Sequence, residues 1–508
     1  MAHTTREDVD ATAALTTPLA ALDGRVATIA DLLPGTAGLV VVAERDCPTS
    51  RGALRALADA GAHLVVISQG RIEAAQDLVA DTAAHDLPVL VEPAPHPVSD
   101  ALAAATMPTF VLLEDGRVVD HLEGWDRARV GELVARAGGR LTSDGGIGEV
   151  KPGCQSRHTF DAAMQRRLEA DDAVLAAGAG RVEDLWELGW HDGLPVVPPT
   201  RERVEAMLDG RDPQTSLGLL GPVNAEVTFE RLAACAVLAG CHPDYWPVVE
   251  AAARAVMDPA FNPHGVSNTT SWASPWIVVN GPVRHQIGMN TGSNVIGPGN
   301  RANATIGRAI RLLLQLTGGG SPGGLDQSAL GGQHKFTACF PEREEASPFE
   351  PLHTSLGHRE GTSAVTVLAG EPPAPVNDHT SQTADELAAT LALAVGNAMS
   401  PTTYPTPGGE LLLILGTEHA RTFGAAGWSR ARLTEALVAG SRRRVGELQA
   451  TGSGALTPQV AAATDPDEVV AKITAEQLVI AVTGGDAGRF SAVVAPWGRS
   501  SSMVTREV

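Results

Sequence analysis

The sequence predicts an α/β protein built in two parts. In the first 140 residues, short apolar runs rich in Val, Leu and Ile alternate with segments of helical periodicity, the pattern of a layered α/β domain. The longer remainder mixes both kinds of element around a centre rich in Gly and Asn. With 54 Gly and 34 Pro among 508 residues, the composition favours a loop-rich architecture over a helical bundle. The length predicts more than one hydrophobic core.

The first part divides into short elements. Residues 1–17 are predicted to form a tail, residues 18–140 the first domain, and residues 141–180 a linker that carries a polar helix. Within the first domain, apolar β-branched runs predict strands at residues 38–43, 63–68, 88–92, 110–113 and 117–121. The segments between them have helical periodicity and predict helices at residues 51–60, 72–84, 98–105 and 126–137.

The second part, residues 181–508, is predicted to be a larger mixed α/β domain with the Gly/Asn-rich segment at its centre. Periodicity and capping residues predict helices at residues 201–208, 230–239, 244–257, 302–316, 384–398 and 430–442. Apolar runs predict strands at residues 276–280, 364–368, 411–415, 478–483 and 492–495.

The most informative motif lies at the first strand-to-helix junction. Cys47-Pro48-Thr49-Ser50 follows the strand at 38–43, and Met107-Pro108 precedes the strand at 110–113. The order and spacing of these two motifs resemble those of the thioredoxin-like superfamily, and the resemblance extends over about residues 18–140. The resemblance implies that Cys47, Pro48 and Ser50 face a cis-proline loop at Pro108. Many members carry Cys-x-x-Cys where this chain has Ser50, so a redox cycle needs a second sulfur from elsewhere.

Cys47 is predicted to be a reactive thiolate. A helix N-terminus favours the thiolate, and Arg45 and Arg51 act in the same direction while Asp46 opposes them. Cys154 in the linker is the candidate second sulfur, able to reach back to Cys47 or forward to the next domain. The alternatives are a packed Cys47 in a docking module and an incidental linker cysteine at position 154.

A second thiol cluster is predicted around Cys241. Cys241 and His242 follow Gly240, which ends one predicted helix, and precede Pro247, which is tolerated only near the start of the next. That position favours a thiolate, with His242 as a proton donor or ligand; packing is the alternative for Cys241. Cys235 lies mid-helix among Ala and Leu, and is predicted to be a core residue.

The Gly/Asn-rich centre is a candidate anion pocket. Gly-rich loops run into the helix near residue 302, where free N–H groups can hold an anion. The predicted substrate-binding residues are Asn290, Asn294, Arg301, Asn303 and His334. The alternative is an arginine face in solvent below a structural turn. No Gly-x4-Gly-Lys-Ser/Thr motif occurs, which disfavours a nucleotide triphosphatase.

The sequence contains weaker signals for an acid–base group and for a metal site than for the thiols. Glu418-His419 follows a predicted strand, so His419 is a candidate acid–base group, with helix capping as the alternative. The segment from His334 to His353 contains residues that can bind metals, but their spacing matches no metal motif. No metal site is therefore predicted.

The net charge restricts the partners. With 38 basic and 59 acidic residues, the formal charge is −21, and no basic block occurs, so we expect no nucleic acid and no anionic membrane surface. The sequence starts without an apolar leader and contains no run of membrane-spanning length, so a cytoplasmic location is predicted. Five cysteines in so long a chain do not make a disulfide framework.

The second part resembles a group of uncharacterised bacterial proteins. The segment from Asp192 to Thr200 and the Gly/Asn-rich centre carry the resemblance, which extends to companions of small selenoproteins named for a Sec-Gly-Ser-Cys motif. It implies a selenoprotein or thiol-protein partner but supplies no reaction.

The leading hypothesis is an enzyme in which Cys47 exchanges electrons or sulfur with a small polar or anionic substrate. The reductant is a low-molecular-weight thiol or a thioredoxin-type protein, and no other cofactor is predicted. A hydrolase or lyase on a degenerate thioredoxin scaffold and a thiol-binding adaptor are the alternatives. The sequence leaves a homo-oligomer open.

Overall fold

The protein is described by a computed structural model that covers residues 11–33, 35, 37–93, 96–156, 182–400, 403–451, 457–497 and 500–508. The chain divides into two compact units. The first comprises Met1–Gln165 with Pro222–Asn224, and the second comprises Arg166–Gly221 with Ala225–Val508. No helix in the described ranges combines the length and the apolar character needed to cross a bilayer.

The first unit is built on a seven-stranded sheet of order β2-β1-β5-β4-β3-β7-β8. Strands β3, β4 and β5 are parallel, and β7 runs antiparallel to β3. Two short antiparallel pairs, β6 with β11 and β9 with β10, lie outside this sheet. The strands are β1 Leu19–Ala21, β2 Val26–Ala27, β3 Ala37–Ala43, β4 Leu64–Gln69, β5 Val89–Glu92, β6 Thr106–Met107, β7 Thr109–Glu114, β8 Arg117–Glu123, β9 Trp125–Asp126, β10 Val150–Lys151 and β11 Cys154–Gln155.

Apolar clusters cover both faces of the central strand β3. Leu39 and Val41 point into one cluster, and Val40 and Val42 point into the other, so the continuous apolar run suits a strand buried on both sides. The helices that supply this cover are Thr12–Thr16, Ile29–Leu32, Pro48–Leu57, Ile72–Thr82, Pro97–Ala101 and Arg127–Arg136. Parallel strands followed by an antiparallel hairpin after a cis proline give a thioredoxin-like fold, which confirms the fold prediction.

A second seven-stranded sheet organises the larger unit. Its order is β15-β14-β16-β21-β17-β20, and β22 pairs with β16. Two further pairs, β12 with β13 and β18 with β19, lie apart from it. The strands are β12 Ser216–Leu220, β13 Ala225–Thr228, β14 Ser274–Asn280, β15 Cys339–Pro341, β16 Ala364–Asn377, β17 Leu411–Gly416, β18 Arg443–Arg444, β19 Val469–Val470, β20 Leu478–Thr483, β21 Phe490–Pro496 and β22 Val504–Glu507.

Buried apolar clusters cover both faces of the second sheet. Ile277 and Val279 of β14 face one cluster while Trp276 and Val278 face another. The helices are Val182–Glu187, Arg201–Leu208, Phe229–Ala239, Trp246–Val256, Pro263–Ser267, Val283–Gln286, Arg301–Leu312, Leu352–Ser355, Ala384–Asn397, Thr417–Ala425, Arg430–Gly440, Val445–Gln449 and Pro458–Ala462. The predicted mixed α/β architecture is therefore correct for this unit as well.

Two elements differ from their sequence-based predictions in an informative way. The strand predicted at residues 364–368 continues to Asn377 as β16, although proline normally ends a strand. A register shift between Gly370 and Pro373 accommodates the prolines. In the predicted linker, residues 150–151 and 154–155 form strands that pair with the first unit. The polar helix predicted at 159–174 lies outside the described residues.

Candidate thiol-disulfide site

The candidate site lies at the junction between β3 and the helix Pro48–Leu57. Cys47 is the N-cap of this helix, and Pro48 occupies its first position, where the missing N–H costs nothing. The Cys47 Sγ accepts a hydrogen bond from the Ser50 N–H at 3.4 Å. The sequence therefore places the sulfur at a helix N-terminus, where free amide groups favour a negative charge.

The proline loop predicted by the resemblance faces this sulfur. The Met107–Pro108 peptide bond is cis, and the Met107 carbonyl oxygen lies 3.2 Å from the Cys47 Sγ. Proline at position 108 has no N–H to offer, and the Pro108 carbonyl instead accepts from the Gly124 N–H at 2.8 Å. The loop and the cysteine thus meet although 60 residues separate Met107 from Cys47 in the chain.

The second predicted sulfur lies beside the first. Strand β11 pairs antiparallel with β6, which places Cys154 opposite Met107. Each of the two sulfurs shifts the pKa of the other, so the two thiols are coupled. Both cysteines are free, with Cys47 buried and Cys154 partly exposed. Of the two directions that the sequence left open for Cys154, the structure has the one that leads back to Cys47.

We call residues 150–156 the cysteine strap, because this segment carries Cys154 across the cis-proline loop. The Thr49 hydroxyl donates to the Pro152 carbonyl at 2.9 Å. At Gly153 the backbone approaches the loop so closely that an added Cβ would lie 2.2 Å from the Met107 oxygen. Glycine is therefore required here for close contact.

The end of the strap is held by a buried polar network. The Ser156 N–H donates to the Ala105 carbonyl at 2.9 Å. The Gln69 amide donates to the hydroxyls of Ser156 and Ser99 at 2.8 Å each. Ser99 in turn donates to the buried carboxylate of Glu92. Because buried polar groups are costly to leave unpaired, this network favours the docked strap.

Hydrogen bonds, more than the flanking arginines, determine the ionisation of Cys47. Burial raises the pKa of Cys47, but hydrogen bonds from the Cys154 thiol and from Ser50 outweigh it and lower the pKa to about 7. The buried carboxyl of Glu44 acts against this lowering. Arg45 is instead paired with Asp77 at 3.3 Å. Sequence reasoning missed the contributions of Ser50 and Glu44, which only contact reveals.

The same pairing acts in the opposite direction on the second sulfur. The hydrogen bond to Cys47 raises the pKa of Cys154, and burial and the negative charge of Cys47 raise it further. As the pair ionises near neutral pH, the negative charge therefore develops on Cys47 and the remaining proton stays on Cys154. This is the distribution of a nucleophile with an adjacent resolving thiol.

Burial acts against the predicted thiolate at Cys241. Cys241 and His242 do lie at the junction ahead of a helix, and Cys235 is buried mid-helix as predicted. However, burial raises the pKa of Cys241 to about 12, because the side-chain hydrogen bond with Thr305 and the charge of Arg301 do not offset the desolvation. His242 is half-exposed and accepts from the Asp244 N–H at 3.3 Å.

The polar side chains of the predicted anion pocket donate hydrogen bonds to nearby backbone carbonyls. Asn303 donates to the carbonyls of Asn290 and Val295 at 2.9 Å each. Asn294 donates to the Pro298 carbonyl. The Arg301 guanidinium donates to the carbonyls of Gly240 and Cys241 at 2.8 and 3.2 Å. These bonds shape the loop and join it to the Cys241 junction, and substrate binding by these residues stays a prediction.

Two of the three predicted histidines of the second unit are buried. His334 contacts the Trp272 carbonyl through Nε2 at 2.6 Å, and burial lowers the pKa of His334 to about 4. His419 is fully buried between the Ser491 hydroxyl at 2.8 Å and the Asp378 carbonyl at 3.3 Å, and burial lowers its pKa as well. Within the described ranges, no three His, Cys, Asp or Glu side chains form a metal-binding group.

Comparisons with known proteins find structural likeness in the N-terminal quarter of the chain. A secreted Mycobacterium tuberculosis disulfide oxidoreductase homologous to E. coli DsbE is 17% identical, with a TM-score of 0.22, over 24% of this chain and 96% of its own. MTB DsbF, in mixed oxidized and reduced forms, is 19% identical, with a TM-score of 0.22, over 24% and 96%.

A DsbE-type protein described as a putative thiol:disulfide interchange protein from Chlorobium tepidum is 17% identical, with a TM-score of 0.21, over 24% of this chain and 92% of its own. No protein-family model matches the chain, and no curated protein is significantly similar to it. The resemblance of the second part to selenoprotein companions stays a prediction. By its own strand order and cis-proline loop, the first unit has a thioredoxin-like fold.

Proposed function

We propose that the chain is a thiol-disulfide oxidoreductase whose redox couple is Cys47 and Cys154. The observation that carries the proposal is the pairing of β11 with β6, which places Cys154 opposite Met107, whose carbonyl oxygen lies 3.2 Å from the Cys47 Sγ. Cys154 takes the role of the second cysteine of Cys-x-x-Cys, whose position Ser50 occupies in this chain. A cysteine of the strap thus completes the pair in place of one on the helix.

In the reductive direction, the Cys47 thiolate attacks one sulfur of a substrate disulfide. The substrate S–S bond breaks, a mixed disulfide forms on Cys47, and the other substrate sulfur leaves as a thiolate. Cys154 then attacks the Cys47 sulfur and releases the second substrate thiolate. The products are two substrate thiols and a Cys47–Cys154 disulfide, so two electrons pass from the protein to the substrate.

The pKa of Cys154 fits the timing of its role. The hydrogen bond to Cys47 and the negative charge there are among the causes that raise this pKa. A mixed disulfide on Cys47 removes that charge, so the pKa of Cys154 falls and its proton can pass to the leaving thiolate. Cys154 therefore becomes a nucleophile only after Cys47 has reacted. A low-molecular-weight thiol or a thioredoxin-type protein then reduces the internal disulfide.

Access to Cys47 depends on the cysteine strap. Cys47 has 0% exposed surface, so the internal disulfide can form in place whereas a substrate must first displace the strap. The antiparallel pairing at Met107 shows how an extended cysteine-containing segment fits this loop. The strap thus occupies the position where an extended disulfide substrate would approach the nucleophile.

The test is disulfide mapping of the full chain after mild oxidation. We expect one disulfide, between the peptides that contain Cys47 and Cys154, with a defined midpoint in glutathione buffers. Cys47→Ser and Cys154→Ser should each abolish it, and Cys339→Ser should leave it intact. A disulfide from Cys47 to any other cysteine, or none at all, contradicts the proposal.

The same experiment separates the competing reactions. Sulfur transfer would leave a persulfide on Cys47, which mass spectrometry distinguishes from the internal disulfide. A hydrolase or lyase on an inert scaffold would keep its turnover in Cys47→Ser. A thiol-binding adaptor would accumulate mixed disulfides with proteins that Cys154 fails to resolve. Acid–base roles for Cys241, His242 and His419 stay predictions under each of these schemes.

A further inference from the structure

The second unit contains a cavity of about 230 Å³ that neither the thiol pair nor the predicted Asn loop uses. At about 30 Å³ per liquid water, it has the space of roughly eight waters, less than a drug-sized pocket. Charged and hydroxyl groups form one part of its wall and apolar groups another. They include Asp192, Arg311, Asp326, Ser328, Leu330 and Phe336.

Arg311 is the unusual group of this wall. Its side chain is 8% exposed, and its Nε donates to the Lys335 carbonyl at 2.9 Å. One terminal nitrogen lies 3.8 Å from Asp326 Oδ2, beyond hydrogen-bond length. Among the described residues, no hydrogen bond uses the terminal nitrogens of this guanidinium. Burial lowers the pKa of Arg311, but a guanidinium keeps its charge in proteins.

The neighbouring charges already neutralise one another. Lys335 Nζ lies 2.6 Å from Asp326 Oδ2 and donates to the Ser328 hydroxyl at 2.6 Å. Asp192 accepts two hydrogen bonds from Arg308, both at 2.7 Å. Asp326 is shared between Lys335 at 2.6 Å and Arg311 at 3.8 Å, so the charge of Arg311 is only partly compensated. A mostly buried charge with one distant partner is costly, and an anion in the cavity would offset that cost.

We propose that this cavity binds a small monocarboxylate, with the carboxylate on the terminal nitrogens of Arg311. A planar guanidinium matches a carboxylate through two parallel hydrogen bonds. A partly compensated positive charge suits a monoanion better than a doubly charged phosphate. Leu330 and Phe336 offer apolar surface to the rest of the ligand. This inference concerns the second unit and does not depend on the thiol chemistry.

The test is calorimetric titration of the full chain with benzoate, and with benzamide as its neutral isostere. We expect saturable benzoate binding with a Kd of about 1 mM or tighter and at least about tenfold weaker binding of benzamide. Arg311→Gln should weaken benzoate binding about tenfold or more, the usual effect of losing a hydrogen bond to a charged group.

A surface pair of variants keeps the test valid if Arg311→Gln fails to fold. Leu330 is 78% exposed on the cavity wall, and Leu219 is 59% exposed on β12. Leu330→Asp adds a negative charge beside the cavity and should weaken benzoate binding several-fold by repulsion, whereas Leu219→Asp adds the same charge elsewhere and should not.

Several outcomes would overturn the proposal. They are the absence of saturable benzoate binding, equal binding of benzamide, tighter binding of inorganic phosphate than of benzoate, and equal effects of Leu330→Asp and Leu219→Asp. Loss of benzoate binding in Arg301→Gln with no loss in Arg311→Gln would likewise overturn it, and would place the anion at the Asn-rich loop. These results are independent of disulfide mapping, so either proposal can fail alone.

Discussion

Removing the thiol of Cys154 should raise the pKa of Cys47. Burial raises that pKa and hydrogen bonds from Cys154 and Ser50 bring it to about 7. A hydrogen bond to a charged group contributes about 1.5–3 kcal/mol, and one pKa unit corresponds to about 1.4 kcal/mol. Cys154→Ala should therefore raise the pKa of Cys47 by about 1–2 units. At pH 7 the thiolate fraction would fall from about one half to about a tenth or less.

The assay is the ultraviolet absorbance of the thiolate during a pH titration of the reduced protein. Cys47→Ala supplies the baseline for the other cysteines. Cys154→Ser is the matched control, because its hydroxyl can still donate to the Cys47 thiolate, and its midpoint should stay near the wild-type value. If Cys154→Ala also titrates at the wild-type midpoint, the hydrogen bond from Cys154 is not what ionises Cys47.

Three further predictions concern the strap and two buried charges. Gly153→Ala should displace the strap, because its Cβ would lie 2.2 Å from a carbonyl oxygen, and alkylation of the nucleophile should become at least about tenfold faster. Asp192→Asn should lower the free energy of unfolding in urea by about 1–2 kcal/mol, because the partly buried Arg308 loses its charged partner and keeps only the carbonyls of Leu194 and Pro195. Burial lowers the pKa of Lys472 to about 7, below its unfolded value, so the unfolded state binds the extra proton between about pH 7 and 10.5. The contribution of Lys472 to stability should therefore rise with pH across this window, by at most about 5 kcal/mol, and the rise should vanish in Lys472→Met.

Each of these predictions has a contrary result. Gly131→Ala is the control for the strap variant, since a Cβ there has no neighbour within 4 Å; equal alkylation rates in both variants would mean that the strap does not cover the nucleophile. When Arg308→Met is added to Asp192→Asn, the double variant should recover part of the lost free energy of unfolding. No recovery would contradict an ion pair between these two side chains. For Lys472, equal pH slopes in wild type and Lys472→Met would show that this amine does not titrate in the window.

The secondary structure was predictable because it depends on local pattern. The strands at 411–415 and 478–483 are continuous apolar runs, and the structure contains them as β17 and β20. The helix at 201–208 was predicted with its observed bounds, since Thr200 caps it. The two-residue strands that hold the cysteine strap, β10 and β11, carry no periodic signal and were missed.

The identity of the chemical groups was predictable, but their environment was not. Cys47 and Cys241 both precede helices and have similar local signals, yet the pKa of Cys47 is lowered to about 7 while burial raises that of Cys241 to about 12. The difference lies in a thiol donor more than a hundred residues from Cys47. Arg311 was predictable as part of an arginine face on its helix, but its burial beside a cavity was not.

The sequence by itself therefore determined the two-part α/β architecture, the position of Cys47 at a helix N-terminus and the proline loop opposite it. These follow from the order of apolar runs, caps and prolines, which act over a few residues. The tertiary structure alone decided which sulfur lies at the cis-proline loop of Cys47, how deeply each thiol is buried and where Arg311 meets a cavity. Those properties depend on desolvation and on contacts between distant segments, and neither is encoded in local sequence.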